Sequence, residues 1–215
     1  MSASLARGSA PFIITLLIGF FSSVALRIFI DWRFLFVSIL FLAGLAFVLI
    51  FFRDPERNIG NGIVAAADGV VRKIEQRDGW IAIETFMNVH NVHVNRAPLA
   101  GTVVSVERIH GGCAPAYKDS AEKNERVIIK MKTAVGEIEV VQIVGIFARR
   151  IVPYIKVGQR LSKGERIGMI RFGSRVDLYL PYPSDAGSRI DIKVKPGEHV
   201  RAGETTVAVA DVPVD

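Results

Sequence analysis

Two apolar runs near the N-terminus decide most of what this chain can become. Residues 11–30, "PFIITLLIGFFSSVALRIFI", carry one charge, Arg27, and residues 34–52, "FLFVSILFLAGLAFVLIFF", carry none. At about 1.5 Å of rise per residue, each run is long enough to cross a hydrocarbon core of roughly 30 Å. Only "DWR" (31–33) separates them, so they read as a transmembrane helical hairpin occupying an anchor of residues 1–53. A cleaved signal peptide fits less well, because no small-x-small site precedes Asp31 and a second apolar run follows at once. Arg27 is placed to snorkel toward the interface near Asp31. Arg7 before the first run, with Arg53 and Arg57 after the second, directs both outer ends to the cytoplasm against the single Arg33 of the turn.

The formal charge is +6 over 215 residues. Four of the arginines and only one acidic residue fall within the anchor, so the remainder, 54–215, is only mildly basic. It has no dense Lys/Arg tract and no aromatic-basic interleaving, which argues against nucleic acid and suits an anionic lipid surface. Cys113 is the only cysteine, so no intrachain disulfide forms. From Asn61 onward the pattern is short alternating runs broken by Gly, Pro and charged turns, among them "VVRKIEQ", "WIAIETF", "TVVSVERI", "EIEVVQIVG" and "RVDLYL". The predicted class is mainly β, a barrel-like domain with a few short helices, one of them a helical turn in "IFARRIVPYI" (146–155). Two internal echoes refine it. "IKVGQRLSKGERIGMI" (155–170) lies over "VKPGEHVRAGETTVAV" (194–209), and "DGVVRKIE" (68–75) over "AGTVVSVE" (100–107). Such units resemble the hammerhead hairpins of lipoyl- and biotinyl-carrier barrels, which keeps open a membrane-anchored adaptor or carrier module without catalysis. "KMKT" (130–133) lacks the Met-Lys-Met frame of a biotinyl site, so Lys132 reads as a solvated strand residue.

Three clusters carry residues capable of chemistry. Asp68-Gly69 opens a strand and by itself is an ordinary turn. His90 and His93 are three apart, on one face of a helical turn or on opposite faces of a strand. A metal-dependent hydrolase built on them lacks a recognisable third ligand, since His110 and His199 are distant and no HExxH or CxxC occurs. Their alternatives are polar caps on the strand that begins at Val94, or acid–base work near neutral pH. The third cluster is Gly173-Ser174, set in front of the clean alternation Val176, Leu178, Leu180. It is either a turn or a nucleophile at a backbone corner, and no GxSxG elbow supports ordinary hydrolysis. A generic nucleophile–base–orienter set would have Asp68 orient His93 and His93 deprotonate Ser174.

"FFRDPER", "AADGVV", "VHVNRAP", "NERV" and "KGERIGMIRFGSRVDLYLP", in that order, resemble the phosphatidylserine decarboxylase family in its short, two-span branch, from Phe51 to Pro181. The resemblance implies a proenzyme that cuts itself between Gly173 and Ser174 into a β chain, 1–173, and an α chain, 174–215, that stay associated. Ser174 Oγ would attack the Gly173 carbonyl, and elimination and hydrolysis would turn Ser174 into a covalent pyruvoyl group, with no metal and no pyridoxal phosphate. The pyruvoyl carbonyl would capture the serine amine of a membrane phospholipid and draw electrons as CO2 leaves, giving an ethanolamine headgroup. By position, Asp68 and His93 match the family's self-cleavage acid and base, and His90 the histidine of the decarboxylation stage.

This chain departs from the long branch at Arg175, where threonine is common, and at Asn88, Val89 and Asn91, where acidic, tyrosine and arginine residues stand. Arg175 is expected to be a solvated strand residue or a partner of the lipid phosphate. Arg53 and Arg57 of "RDPER" are expected at headgroup depth. Asn124, Glu125 and Arg126 match a family stretch with no role beyond a turn or ion pair. The resemblance implies a lyase of phospholipid biosynthesis in the cell membrane, acting on phosphatidylserine or archaetidylserine alike, with association into homo-oligomers left open.

Overall fold

The computed structural model describes residues 4–146, 150–171, 174–182 and 189–211. They form two compact units, Met1–Glu56 and Arg57–Asp215. In the first, β1 (Ser4–Leu5) pairs with β2 (Arg53–Asp54) and brackets α1 (Ala10–Phe29) and α2 (Phe34–Phe51). Pro11 sits in the first turn of α1, where its missing N–H costs nothing. Both helices are long and apolar enough to cross a membrane. They pack closely because glycines on each helix make room for large side chains of the other, Gly19 for Phe41 and Gly44 for Leu16. A Cβ added to Gly19 would lie 2.3 Å from the Phe41 ring. Ser23 and Ser38 share a buried hydrogen bond of 2.9 Å between the helices.

The second unit is built of β3 (Ile63–Val64), β4 (Gly69–Arg77), β5 (Trp80–Met87), β6 (Val94–Arg96), β7 (Gly101–Ile109), β8 (Arg126–Thr133), β9 (Gly136–Val144), β10 (Arg150–Pro153), β11 (Arg160–Leu161), β12 (Arg166–Arg171), β13 (Ser174–Pro181), β14 (Ile190–Ile192), β15 (His199–Val200) and β16 (Thr206–Ala210). Among the described residues a 3-10 helix, Asp119–Lys123, interrupts them. Eight strands form one antiparallel sheet in the order β11-β7-β8-β9-β13-β5-β4-β15, curled as a half-barrel. Two three-stranded sheets, β10-β12-β6 and β14-β16-β3, complete the unit. Alternation sends Val176, Leu178 and Leu180 inward with Ile83, Val140 and Ile129, making one apolar core. The opposite face of the sheet is not all solvated. Ala121 of the 3-10 helix covers Val141 and Ile143 there, with Ile128 and Tyr179 packed alongside.

The internal echoes correspond to a repeated structure. Gly158 and Gly197 have φ of 82° and 93°, and Gly164 and Gly203 both 78°, values that a side chain would strain. Gly158 donates to Val103 O at 2.8 Å, and Gly197 to Val71 O at 2.7 Å. Val103 and Val71 occupy equivalent places in the shorter echo, and both return an amide bond of 2.9 Å, to Gln159 O and Glu198 O. One hairpin thus closes on β7 and its counterpart on β4. The two halves differ at one informative place, where Asp68 stands in one and Ala100 in the other. The stretch read as a helical turn is partly outside the described residues. Its described part is strand β10, whose partner β12 lies about twenty residues further on, beyond the range of local propensity.

Candidate active site

Ser174 is the first residue of β13, the strand held on both sides by β9 and β5. It pairs with Val144 and Met87, points to the core face and is completely buried. Gly173, the other half of the expected cleavage site, lies outside the described residues. The Ser174 hydroxyl donates to Met87 Sδ at 3.2 Å. A thioether is a weak acceptor, so the oxygen is held loosely and its proton is easily redirected. Met87 Sδ also takes a contact of 3.7 Å from Asn95 Nδ2, and Asn95 Oδ1 accepts from Gln142 Nε2 at 2.7 Å. Asn95 and Gln142 are both fully buried. A Cβ at Gly168 would sit 2.9 Å from Gln142 Nε2, so the glycine makes the space that this amide fills.

His93 is fully buried just before β6. Its backbone oxygen accepts from Ile170 N at 3.4 Å, which sets it across from the strand that runs toward Ser174. Its Nδ1 lies 2.9 Å from the Asn91 carbonyl. A carbonyl only accepts, so Nδ1 carries the hydrogen and Nε2 is the basic nitrogen of the neutral ring. His90 occupies an exposed turn closed by Asn91 N to Asn88 O at 2.9 Å and Asn88 N to Asn91 Oδ1 at 2.7 Å. The two histidines therefore differ sharply in setting, one sealed and one open. Among the described residues no three His, Cys, Asp or Glu side chains gather as a metal would need.

Three expectations are corrected by the contacts. Asp68 does not orient His93. Its carboxylate accepts from Arg57 Nη2 at 3.1 and 2.9 Å and from Ala202 N at 2.8 Å, tying the start of β4 to two distant segments. Arg57 consequently does not reach outward to lipid: its side chain is 6% exposed and its second nitrogen faces Glu204 at 3.4 Å. Arg53 donates to Ile50 O at 2.8 Å at the end of α2. Arg175 is neither solvated nor open to a phosphate. It is 1% exposed, with Nη2 on Asp177 Oδ2 at 2.8 Å and Nη1 3.4 Å from Glu84. The 3-10 segment has turned the outward face of β13 into an interior.

Three side chains of the site were not singled out by sequence reasoning, and a fourth, Asn124, was given no role there beyond a turn or ion pair. Met87 touches Ser174, Asn95 and Gln142 continue the chain of contacts from Met87, and Asn124 braces the neighbouring strand. Gln142 had a signal, an amide at an inward position between Val140 and Val144. Asn124 is buried and bonds Ala114 N, Ala114 O and Val144 O at 2.7 to 2.8 Å, fixing the end of β9 beside Ser174. Glu125 pairs with Arg108 at 2.6 Å.

Burial pushes the Asp177 carboxyl up to about 7, although the Arg175 guanidinium pulls it down. Glu84 on β5 adds to the rise, Arg72 on β4 opposes it, and Arg126, Glu139 and Glu122 line the same recess. A folded value above the ordinary 3.8 stabilises the fold fully at low pH and loses that contribution as pH climbs toward 7. In urea titrations the stability of Asp177→Asn relative to the native protein should therefore rise between pH 4 and 7, whatever constant offset the substitution itself adds. A flat difference across that range would contradict it.

A model of the phosphatidylserine decarboxylase family matches residues 45–208. A phosphatidylserine decarboxylase proenzyme of Streptomyces griseus is 47% identical over 205 residues, covering 94% of this chain and 92% of that one. One from Thermobifida fusca is 47% identical over 209 residues, with coverage of 94% and 90%. A Methanococcoides burtonii chain, provisionally named an archaetidylserine decarboxylase proenzyme, is 44% identical over 211 residues and 95% of each chain. Since the likeness runs through the span that carries Asp68, His90, His93 and Ser174, and through nearly the full length of these relatives, the chain belongs to the phosphatidylserine decarboxylase family.

Proposed function

We propose that the chain is a membrane-anchored proenzyme that cuts itself between Gly173 and Ser174 and then decarboxylates the phosphoserine headgroup of phosphatidylserine or archaetidylserine. The observation that carries this reading is a buried serine at the first residue of a central strand, its hydroxyl resting on a thioether, in a chain of this family. Ser174 Oγ attacks the Gly173 carbonyl while His93 Nε2 takes its proton. The peptide C–N bond breaks, an ester replaces it, and the amine of residue 174 is freed. Loss of the Ser174 Cα proton then breaks the Cβ–Oγ bond and releases Gly173 as a carboxylate. Water replaces the nitrogen of the resulting dehydroalanine, ammonia leaves, and a pyruvoyl group remains at the head of the α chain.

The surroundings suit such a group. It would form where Ser174 already stands, beside the neutral amides of Asn95 and Gln142, with no charged side chain in that chain of contacts. The pyruvoyl group supplies the electron sink for loss of CO2. Asp68 acts at a distance, its pairing with Arg57 and Ala202 fixing the backbone next to Met87. His90, exposed at the same end of β5, positions the headgroup or delivers a proton. The two chains remain together because β13 belongs to the α chain while both of its sheet neighbours belong to the β chain. The helical hairpin keeps the domain at the bilayer, with the arginine distribution favouring the cytoplasmic face. Acyl chains then need not leave the membrane, which would cost about 0.8 kcal/mol per exposed CH2.

Family membership favours this reading over a non-catalytic carrier with similar hairpins. Intact mass spectrometry tests it. The purified protein should give fragments 1–173 and 174–215, the smaller one blocked at its N-terminus and reactive toward hydrazines, and should release CO2 from vesicles of either lipid. An active protein found wholly uncut overturns the proposal.

A further inference from the structure

Self-cleavage poses a mechanical problem at the place where the cofactor forms. Before the cut, the start of β13 is held by the chain that continues from β12. Afterwards residue 174 has lost both that connection and its amide nitrogen, so the first backbone N–H of the α chain belongs to Arg175. New chain ends fray unless something ties them down. The side chain of Arg175 is held by carboxylates of its own strand and of β5. It points away from Ser174, across the sheet, and is 1% exposed. Nη2 bonds Asp177 at 2.8 Å, and Nη1 faces Glu84 of β5 at 3.4 Å. Glu84 in turn accepts from Arg72 Nε at 2.8 Å, and Arg72 reaches Asp119 at 2.5 Å and Tyr117 O at 2.8 Å. This line of charges runs from β13 through β5 and β4 into the segment that covers the sheet.

Buried ion pairs are seldom retained for stability alone, since apolar residues of similar volume often serve as well. Their attested use is to fix one register. We propose that Arg175, through Asp177 and Glu84, is the positioning residue that holds the pyruvoyl end of the α chain in place once the 173–174 bond is cut. The inference rests on the proposed self-cleavage and assigns the charge line a task that begins only after it.

Hydrogen exchange of the peptide beginning at residue 174 tests this in four proteins: the native enzyme, Arg175→Met, the uncut Ser174→Ala, and Ser174→Ala with Arg175→Met. In the uncut pair, exchange at Val176 and Leu178 should agree within about threefold. In the cut pair, Arg175→Met should speed it by about tenfold or more, the signature of local opening. The same variant should lose about tenfold in kcat with KM nearly unchanged, because substrate contacts remain while the reacting carbonyl wanders. If Arg175→Met does not fold, Glu84→Gln, which keeps a hydrogen-bond acceptor for both arginines, should show the same pattern at about threefold. Equal acceleration in cut and uncut chains, or none in either, overturns the inference and leaves self-cleavage intact. A native protein that stays in one piece overturns the functional reading itself, and this inference with it.

Discussion

Ser174→Ala should leave a single 23.6 kDa chain with no measurable decarboxylation. The substitution removes one oxygen, but that oxygen is both the nucleophile of the cut and the atom whose elimination creates the ketone. No other residue can supply a pyruvoyl group at the head of β13, so the expected loss is complete rather than a fraction. Folding should survive. Among the described residues the hydroxyl bonds weakly to Met87 Sδ, and losing that contact costs about 1 kcal/mol or less. The alanine methyl occupies the same buried place between Val144 and Met87, so the melting temperature should stay within a few degrees of the uncut native precursor. Denaturing gels and intact mass report the cut, and CO2 release from phosphatidylserine vesicles reports the chemistry. Fragments from the alanine variant, or activity without them, would place the reacting group elsewhere in the chain.

The apolar helical hairpin and the sheet were legible because both depend on local periodicity. A long uncharged run has few other fates, and alternation such as Val176, Leu178, Leu180 fixes which face of a strand is apolar. The echoes were legible for a related reason: glycines at matching offsets mark turns that need positive φ, and Gly158/Gly197 and Gly164/Gly203 have it. What escaped was set by contacts far apart in sequence. Arg175 alternates outward and so reads as solvated, yet residues 115–124 lie over it through Arg72 and Asp119. Arg57 follows the anchor and so reads as a lipid contact, yet Asp68 and Glu204 claim its guanidinium. The motifs name candidate residues but not the partners those residues meet. Asp68 was paired with the wrong side chain because spacing carries no information on which carboxylate meets which cation. The tautomer of His93 depends on the Asn91 carbonyl, a backbone atom that no side-chain pattern can announce.

That tautomer leads to the second large effect. His93→Gln should slow self-cleavage by about two to four orders of magnitude, the usual worth of a positioned general base, so that precursor accumulates. Glutamine is the informative replacement: it fits a buried polar site and its amide can still donate to the Asn91 carbonyl, but it offers no basic nitrogen where Nε2 stood. A loss of rate then reports the missing base and not a collapsed loop, which circular dichroism of the accumulated precursor would confirm. His90→Ala should behave in the opposite way, because its side chain lies in an exposed turn instead of against the strand that leads to Ser174. Fragments should form at the native rate while CO2 release falls by about tenfold or more, as for a group that serves only the later chemistry. Following cleavage in a cell-free synthesis reaction, and decarboxylation in the mature product, separates the two histidines in one experiment. If His93→Gln cuts itself as fast as the native chain, the proton of Ser174 leaves by another route. The ring that the Asn91 carbonyl orients would then be a structural feature of β6 and nothing more.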